Sequence, residues 1–205
     1  MLFSKIFHQK GLGFPYVTLC LILSCLVISI PLFFSSDFYH ILGGGQGVNV
    51  NFWWQVITTR FSHGRGVPLL PHLLGNVIAF AFFGTVIERL LGSGRFFLLS
   101  LATFSVATTW RTIANSYGNG ASGICWGYLV FIIPILVWIW QKNKKQVLRD
   151  FVNILAIGYA LFMLLGIPIL AWITGVKGNM NFSHTVSILT ALPFIPVSGF
   201  TLEYI

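Results

Sequence analysis

The sequence predicts an all-α membrane protein, a bundle of six transmembrane helices with a long membrane-associated loop between helices 1 and 2. Three observations lead there. Of the 205 residues, 56% are hydrophobic and only 8% are charged, where soluble domains carry about 25% charged residues, and the mean hydropathy is +0.86. Apolar stretches of bilayer-crossing length recur along the chain. All connections but one are short, which suits antiparallel neighbours in a bundle.

The spans are expected at 14–34, 72–91, 96–113, 122–140, 151–174 and 183–201, together forming a single membrane domain over 1–205 with no room for a separate soluble one. Lys5 and Lys10 precede the first stretch as they would a signal peptide. That stretch is too long for a signal core and lacks a small-residue cleavage site, so it is kept as a span. The connection 35–71 is rich in Gly, aromatic and polar residues. Within it, Phe52-Trp53-Trp54-Gln55-Val56-Ile57 has the mixed character of a piece lying in the membrane interface, where Trp prefers to sit. Pro71 suits the first turn of the helix that follows. Gly166 and Pro168 interrupt the fifth span and, with the 175–181 loop, are candidates for a moving element.

The formal net charge of +8 is explained by topology rather than by nucleic acid. With the amino terminus inside, the inner side holds Lys5, Lys10, Arg89, Arg95, Lys142, Lys144, Lys145 and Arg149, and the outer side only Arg60, Arg65, Arg111 and Lys177. Spans two, four and six then run from outside to inside. Cys20, Cys25 and Cys125 lie inside apolar spans without CxxC or metal-ligand spacing and read as small packing residues. The Gly43-Gly44-Gly45 run has no following GK[ST] and is a turn, not a phosphate loop. No metal and no cofactor is expected, and the partner implied by composition is the lipid bilayer. Nothing in the sequence specifies an oligomeric state.

Four polar groups enter at one end of this bundle. His72 and Asn76, four residues apart, share a helix face at the start of span two; Ser122 opens span four within Gly120-Ala121-Ser122-Gly123; His184 lies in the first turn of span six. Taken singly, Ser122 is a common helix-packing residue and His184 a common interhelical hydrogen-bonding one. Four such groups at one depth mark a shared wet cavity, because polar side chains in a membrane face a bundle interior or water. A serine can act as a nucleophile where a neutral imidazole takes its proton. A carboxylate third member is nearly excluded, since the chain has only Asp37, Glu88, Asp150 and Glu203 and the last three belong to the inner side. HExxH zinc chemistry and paired membrane aspartates are absent as well.

The residues Trp54-Gln55, Phe61-Ser62-His63, His72-Leu73-Leu74-Gly75-Asn76, Gly84 to Arg89, Gly92-Ser93, Gly120-Ala121-Ser122-Gly123 and Ser183-His184 resemble the rhomboid intramembrane serine proteases in order and spacing, in their minimal six-helix bacterial form. The resemblance implies a serine endopeptidase cleaving transmembrane protein substrates in or near their membrane segments. It makes Ser122 the nucleophile, His184 the general base, and His72 and Asn76 oxyanion-stabilising groups, with Gly120, Gly123 and Trp126 in support. Trp126 stands where the family commonly has a Tyr packed on the catalytic His. It also implies a multi-pass protein of the bacterial cell membrane, amino terminus cytoplasmic and site open to the outer face. Glu88 falls in the family's structural Gly/Glu stretch and has no catalytic part. The sequence departs from the pattern at Gln55, usually Arg, at Ser187, usually Gly, and in the nine-residue step from His63 to His72. Two other readings stay open: a silent relative that binds or escorts membrane clients, and a small channel, which would place its polar residues at mid-membrane instead.

Overall fold

Backbone groups in hydrocarbon must be satisfied within their own segment, and the elements formed are accordingly helices. The structure, a computed structural model, describes residues 12–35, 37–43, 52–63, 69–113, 120–142, 150–174 and 180–195. Within these, α1 is Tyr16–Ser29, extended by a 3-10 turn at Ile30–Phe33. Two short loop helices follow, α2 at Phe38–Leu42 and α3 at Gln55–Thr58. Next come α4 (Leu69–Ala79) and α5 (Thr85–Leu91), joined through a π turn at Phe80–Gly84 into one rod. The long helices α6 (Ser93–Ile113) and α7 (Ser122–Lys142) come after it. Then α8 (Phe151–Leu161) and α9 (Ile167–Thr174) are joined by a second π turn at Phe162–Gly166, and α10 (Met180–Ala191) ends in a 3-10 turn at Leu192–Phe194.

Three rods are long and apolar enough to cross a membrane by length and composition: Tyr16–Phe33, Leu69–Leu91 and Phe151–Ile169. The other three expected spans are helical, but their described apolar stretches are shorter or more polar, at Ser122–Val137 and His184–Phe194. With 21 residues, α6 reaches about 31 Å, close to the roughly 30 Å of a hydrocarbon core, although Ser and Thr dilute its hydropathy. Two of these hydroxyls turn back onto the helix, Thr103 to the Leu99 carbonyl at 2.9 Å and Thr108 to the Phe104 carbonyl at 2.8 Å, so they face apolar surroundings already satisfied. The second span starts three residues before the expected 72, with Pro71 in its first turn. The sixth is described as a helix only to Ala191, and positions 196–201 lie outside the described residues. So do the basic residues at 5, 10, 65, 144, 145, 149 and 177 and most of the 175–181 loop. The interruption expected from Gly166 takes the form of the π turn that ends there.

The core is built around α7, whose Tyr128, Leu129, Phe131, Ile132 and Ile135 are all inaccessible to solvent. Small residues permit close approach, as membrane helix pairs require. A Cβ on Gly123 would lie 3.0 Å from Ala107 of α6 and 3.2 Å from the Ser187 hydroxyl of α10, and one on Gly127 would lie 2.8 Å from Thr103. α10 packs most extensively against α7 and α6. Ser187, where the resemblance would put Gly, is fully buried in this contact.

At the opposite end of the rod α4–α5, Glu88 is buried and its carboxylate accepts three hydrogen bonds: Val17 N–H at 2.9 Å, Thr18 N–H at 2.7 Å and the Ser93 hydroxyl at 2.6 Å. The two amides belong to the first turn of α1, where helix donors lack internal partners and a negative charge is favoured. Pro15 supplies no side-chain cap to α1, so Glu88 does this from another helix. Arg89 adds bonds to the Leu12 and Gly13 carbonyls. Gly92, at φ +80°, a conformation open mainly to glycine, then turns the chain into α6. Glu88→Ala should lower unfolding stability by about 2–4 kcal/mol, because buried donors lose their acceptor, and Glu88→Gln should lose about half of that. Thermal unfolding in detergent checks this, and a midpoint unchanged in the Ala variant would contradict the capping role.

Candidate active site

Loop helix α3 is fitted to loop helix α2 by three side chains. Trp54 Nε1 donates to the Ile41 carbonyl at 2.8 Å, Gln55 Nε2 to the His40 carbonyl at 2.7 Å, and Thr58 Oγ1 to the Leu42 carbonyl at 2.7 Å. These are the last carbonyls of α2, which have no helical partner. Gln55, fully buried, also accepts from Phe52 N–H at 3.2 Å; its neutral amide meets the needs of this site as both donor and acceptor. Trp53 next to it is 77% exposed, as expected of a residue in a membrane interface.

The segment that follows is pinned from three directions. The Thr59 carbonyl accepts Gly120 N–H at 3.2 Å, the Phe61 carbonyl accepts the Ser29 hydroxyl at 2.8 Å, and the His63 carbonyl accepts the Tyr39 hydroxyl at 2.6 Å. One strip of loop backbone therefore joins α1, α2 and the turn before Ser122. His63 is fully buried, with Nδ1 2.9 Å from both Ser29 Oγ and the Phe61 carbonyl. The carbonyl can only accept, which puts the neutral ring's proton on Nδ1. Burial, and secondly the neighbouring His72, hold its pKa down to about 3.

His63 meets His72 edge to face, ring centroids 4.8 Å apart. His72 in turn lies against Gly120, where a Cβ would come 2.8 Å from its Cε1 and 2.9 Å from its Nε2. Gly120 also has φ +103°, so both space and backbone conformation require glycine there. One turn along α4, Asn76 is buried; its Nδ2 donates to the His72 carbonyl at 2.9 Å and its Oδ1 accepts the Cys125 thiol at 3.3 Å. The amide is thereby oriented, with one N–H left over.

Ser122 is the first residue of α7, and its Oγ lies 3.3 Å from Nε2 of His184 on α10. The imidazole is buried and stacks on Trp126, ring centroids 4.6 Å apart and planes 14° from parallel. A hydroxyl at this distance from an imidazole nitrogen can pass its proton there with little movement, since such contacts commonly tighten when substrate binds. Of the acidic residues, Glu88 is engaged at α1 and Asp150 caps α8 through Val152 and Asn153 N–H. Among the described residues no group of three metal-ligating side chains occurs.

The site residues singled out from sequence thus converge: Ser122 Oγ approaches His184, which stacks on Trp126, His72 and Asn76 lie on α4 and touch Gly120 and Cys125, and Gly123 admits α10. Sequence reasoning read Cys125 only as a packing residue and His63 only as part of a motif, and gave neither a place in the site. Cys125 carried a signal in its spacing, three residues from Ser122 and so on the same helix face. His63 carried none beyond its motif, because its contacts are all distant in sequence.

A family model described as the Rhomboid domain matches residues 50–192. Among curated proteins, the chain is 33% identical over 98 residues to "Rhomboid protease GluP" of Bacillus subtilis (strain 168), an alignment covering 47% of this chain and 18% of that protein. It is 28% identical over 149 residues to "Putative rhomboid protease YdcA" of the same organism, covering 66% of this chain and 71% of that protein. The chain therefore spans under a fifth of the length of the first relative and most of the second.

The state of His63 leads to a pH dependence. An imidazole with pKa about 3 when folded and about 6.5 when unfolded gives the unfolded chain the extra proton between those values, so stability is complete above pH 6.5 and falls as pH drops towards 3. The slope is up to about 1.4 kcal/mol per pH unit, and His63→Gln should remove that part of it. Denaturant titrations between pH 4.5 and 7.5 measure the difference; equal slopes in both proteins would refute it.

Proposed function

Because the chain belongs to the rhomboid family, we propose that it is an intramembrane serine endopeptidase in which Ser122 is the nucleophile and His184 the general base, acting on transmembrane protein substrates. The observation that carries this reading is the 3.3 Å approach of Ser122 Oγ to His184 Nε2, at the mouth of a helix bundle apolar enough to lie in a bilayer. The silent-relative alternative would lead one to expect loss of one of these two groups.

In the proposed reaction, Ser122 Oγ attacks the carbonyl carbon of the scissile peptide as its proton passes to His184 Nε2. The carbonyl electron pair moves to oxygen. Stacking on Trp126 holds the imidazole plane as it gains charge, and a cation over an indole face is favoured. The oxyanion is met by the remaining N–H of Asn76, by His72 and by the Ser122 backbone N–H at the start of α7, where the helix dipole also favours negative charge. Collapse breaks the C–N bond, and the leaving amine takes the proton from His184. Water then attacks the acyl-enzyme, His184 accepts its proton and returns it to Ser122 Oγ, and the new carboxyl terminus leaves. A dyad is sufficient, because packing on Trp126 takes over the orienting task that a carboxylate performs in a triad.

Ser122, His184 and His72 all lie near the starts of helices that run the same way. Since the sequence leads one to expect most basic residues at the other end of these helices, we place the amino terminus in the cytoplasm and the site at the outer face of a cell membrane, in keeping with the bacterial relatives.

Purified protein given a panel of single-span substrates should cleave at least one, and Ser122→Ala should abolish cleavage and fluorophosphonate labelling without unfolding the chain. His184→Ala should abolish both as well. Single Ala variants of His72 and Asn76 should retain residual activity, losing up to about 2.7–4 kcal/mol of transition-state stabilisation, and the double variant should lose less than the sum. Proteolysis undiminished in Ser122→Ala would refute the mechanism, and Asn76→Ala falling below His184→Ala would reverse the assigned roles.

A further inference from the structure

Cys125 of α7 and Tyr159 of α8 belong to neither the proposed dyad nor the oxyanion donors, yet both bring polar atoms into the apolar interior of the bundle. Tyr159 packs on Phe83 of the π turn, ring centroids 4.5 Å apart, and its hydroxyl hydrogen-bonds the Cys125 sulfur. Cys125, only 1% exposed, lies 3.3 Å from Asn76 Oδ1. Asn76, also buried, donates from Nδ2 to the His72 carbonyl at 2.9 Å. That carbonyl can only accept and the thiol has one proton, so a single direction satisfies every link: Tyr159 O–H to sulfur, Cys125 S–H to Oδ1, Asn76 Nδ2–H to carbonyl. The chain crosses three helices and reaches the amide whose second N–H is offered to the oxyanion.

Packing alone does not call for this arrangement. A small apolar residue would fill position 125 and a Phe position 159, whereas polar groups between membrane helices are costly unless paired. What the sulfur and the hydroxyl add acts on Asn76. A bond to the His72 carbonyl alone leaves the amide plane free to rotate about it; a second bond, at Oδ1 and from another helix, stops that rotation and so aims the remaining N–H. An amide that accepts at oxygen is also a stronger donor at nitrogen, because hydrogen bonds in a chain polarise one another. We propose that Cys125 and Tyr159 are positioning residues for the reaction: through the Tyr159–Cys125–Asn76 chain they fix and polarise the Asn76 amide as an oxyanion donor. This rests on the protease reading above. The role involves no contact with substrate, so its loss should appear in kcat rather than in KM.

The test uses full-length protein in detergent with a substrate that wild type cleaves. Cys125→Ala, Cys125→Ser and Tyr159→Phe, each alone and combined with Asn76→Ala, are compared by kcat, KM, fluorophosphonate labelling rate and melting temperature. Ala and Ser occupy almost the same space and differ by one hydrogen-bonding group, and Phe keeps the ring on Phe83. Cys125→Ala should lower kcat and labelling by about 3- to 10-fold, the scale of one hydrogen bond, with KM within about twofold of wild type. Cys125→Ser should recover most of that loss, and Tyr159→Phe, one link further away, should lose about 2- to 3-fold. In the Asn76→Ala background there is no amide to orient, so none of the three should lower the rate further; a packing role predicts the same loss in both backgrounds. If Cys125→Ala does not fold, Tyr159→Phe with and without Asn76→Ala makes the same comparison. Losses retained in full in the Asn76→Ala background, a Ser variant no better than a folded Ala variant, or single variants with wild-type kcat would overturn the proposal. Absence of Ser122-dependent cleavage and labelling in wild type would instead refute the protease reading itself.

Discussion

The close approach of α10 to α7 is the constraint on which the rest of this molecule depends. Lipid is as apolar as leucine, so helices in a bilayer gain little from hydrophobic burial against one another and associate through tight van der Waals contact. Gly123 and Gly127 on α7 and Ser187 and Ala191 on α10 remove the side-chain bulk that would hold the axes apart. Gly123 adjoins Ser122, and Ser187 lies one turn beyond His184. The same small-residue contact that packs the helices therefore sets the separation of the hydroxyl and the imidazole. A larger residue at either place would act on the reaction through geometry alone.

A second constraint concerns the irregular backbone above the bundle. Peptide groups outside regular helices need partners wherever water is scarce, and this loop obtains them in sequence order. Side chains of α3 and its N-cap Trp54 satisfy the last carbonyls of α2, and then donors from α1, α2 and the turn before α7 satisfy the carbonyls of residues 61, 63 and 59. The loop is thereby fixed to the wall of the site, with His63 edge to face on His72 and both rings close against Gly120. Gln55 belongs to this scheme: an amide that both gives and accepts serves two carbonyls and an N–H without introducing a buried charge.

At the far end Glu88 brings a charge to bear on three donors from two helices. It is separated from Ser122 by the length of the rod α4–α5, and its influence on the site is through the placement of that rod, which carries His72 and Asn76. The π turn at Phe80–Gly84 divides the rod between these two tasks, the capping of α1 at one end and the orientation of Asn76 at the other. Cys125 completes that orientation from α7.

Sequence by itself determined the helical class, the order of the rods and the residues brought to one end, because hydropathy runs and the HxxxN, GxSG and terminal His spacings are local properties of the chain. It also identified the departures at Gln55 and Ser187, but not what they do. Whether Gln is acceptable at position 55 depends on the carbonyls of His40 and Ile41, which lie across a turn, and whether Ser is acceptable at 187 depends on the absence of a Cβ at Gly123. Helix limits were legible to within a few residues, α6 included, expected at 96–113 and formed at Ser93–Ile113, where Thr hydroxyls hide their polarity in bonds to their own helix. The bonds from Glu88 to α1, from Cys125 to Asn76 and from Thr59 to Gly120, and the burial of Arg60 and His63, were decided only by the tertiary structure. Each joins groups from different helices or loops, and a hydrogen bond of about 3 Å is set by how rigid elements pack, a quantity that residue order along one chain does not contain.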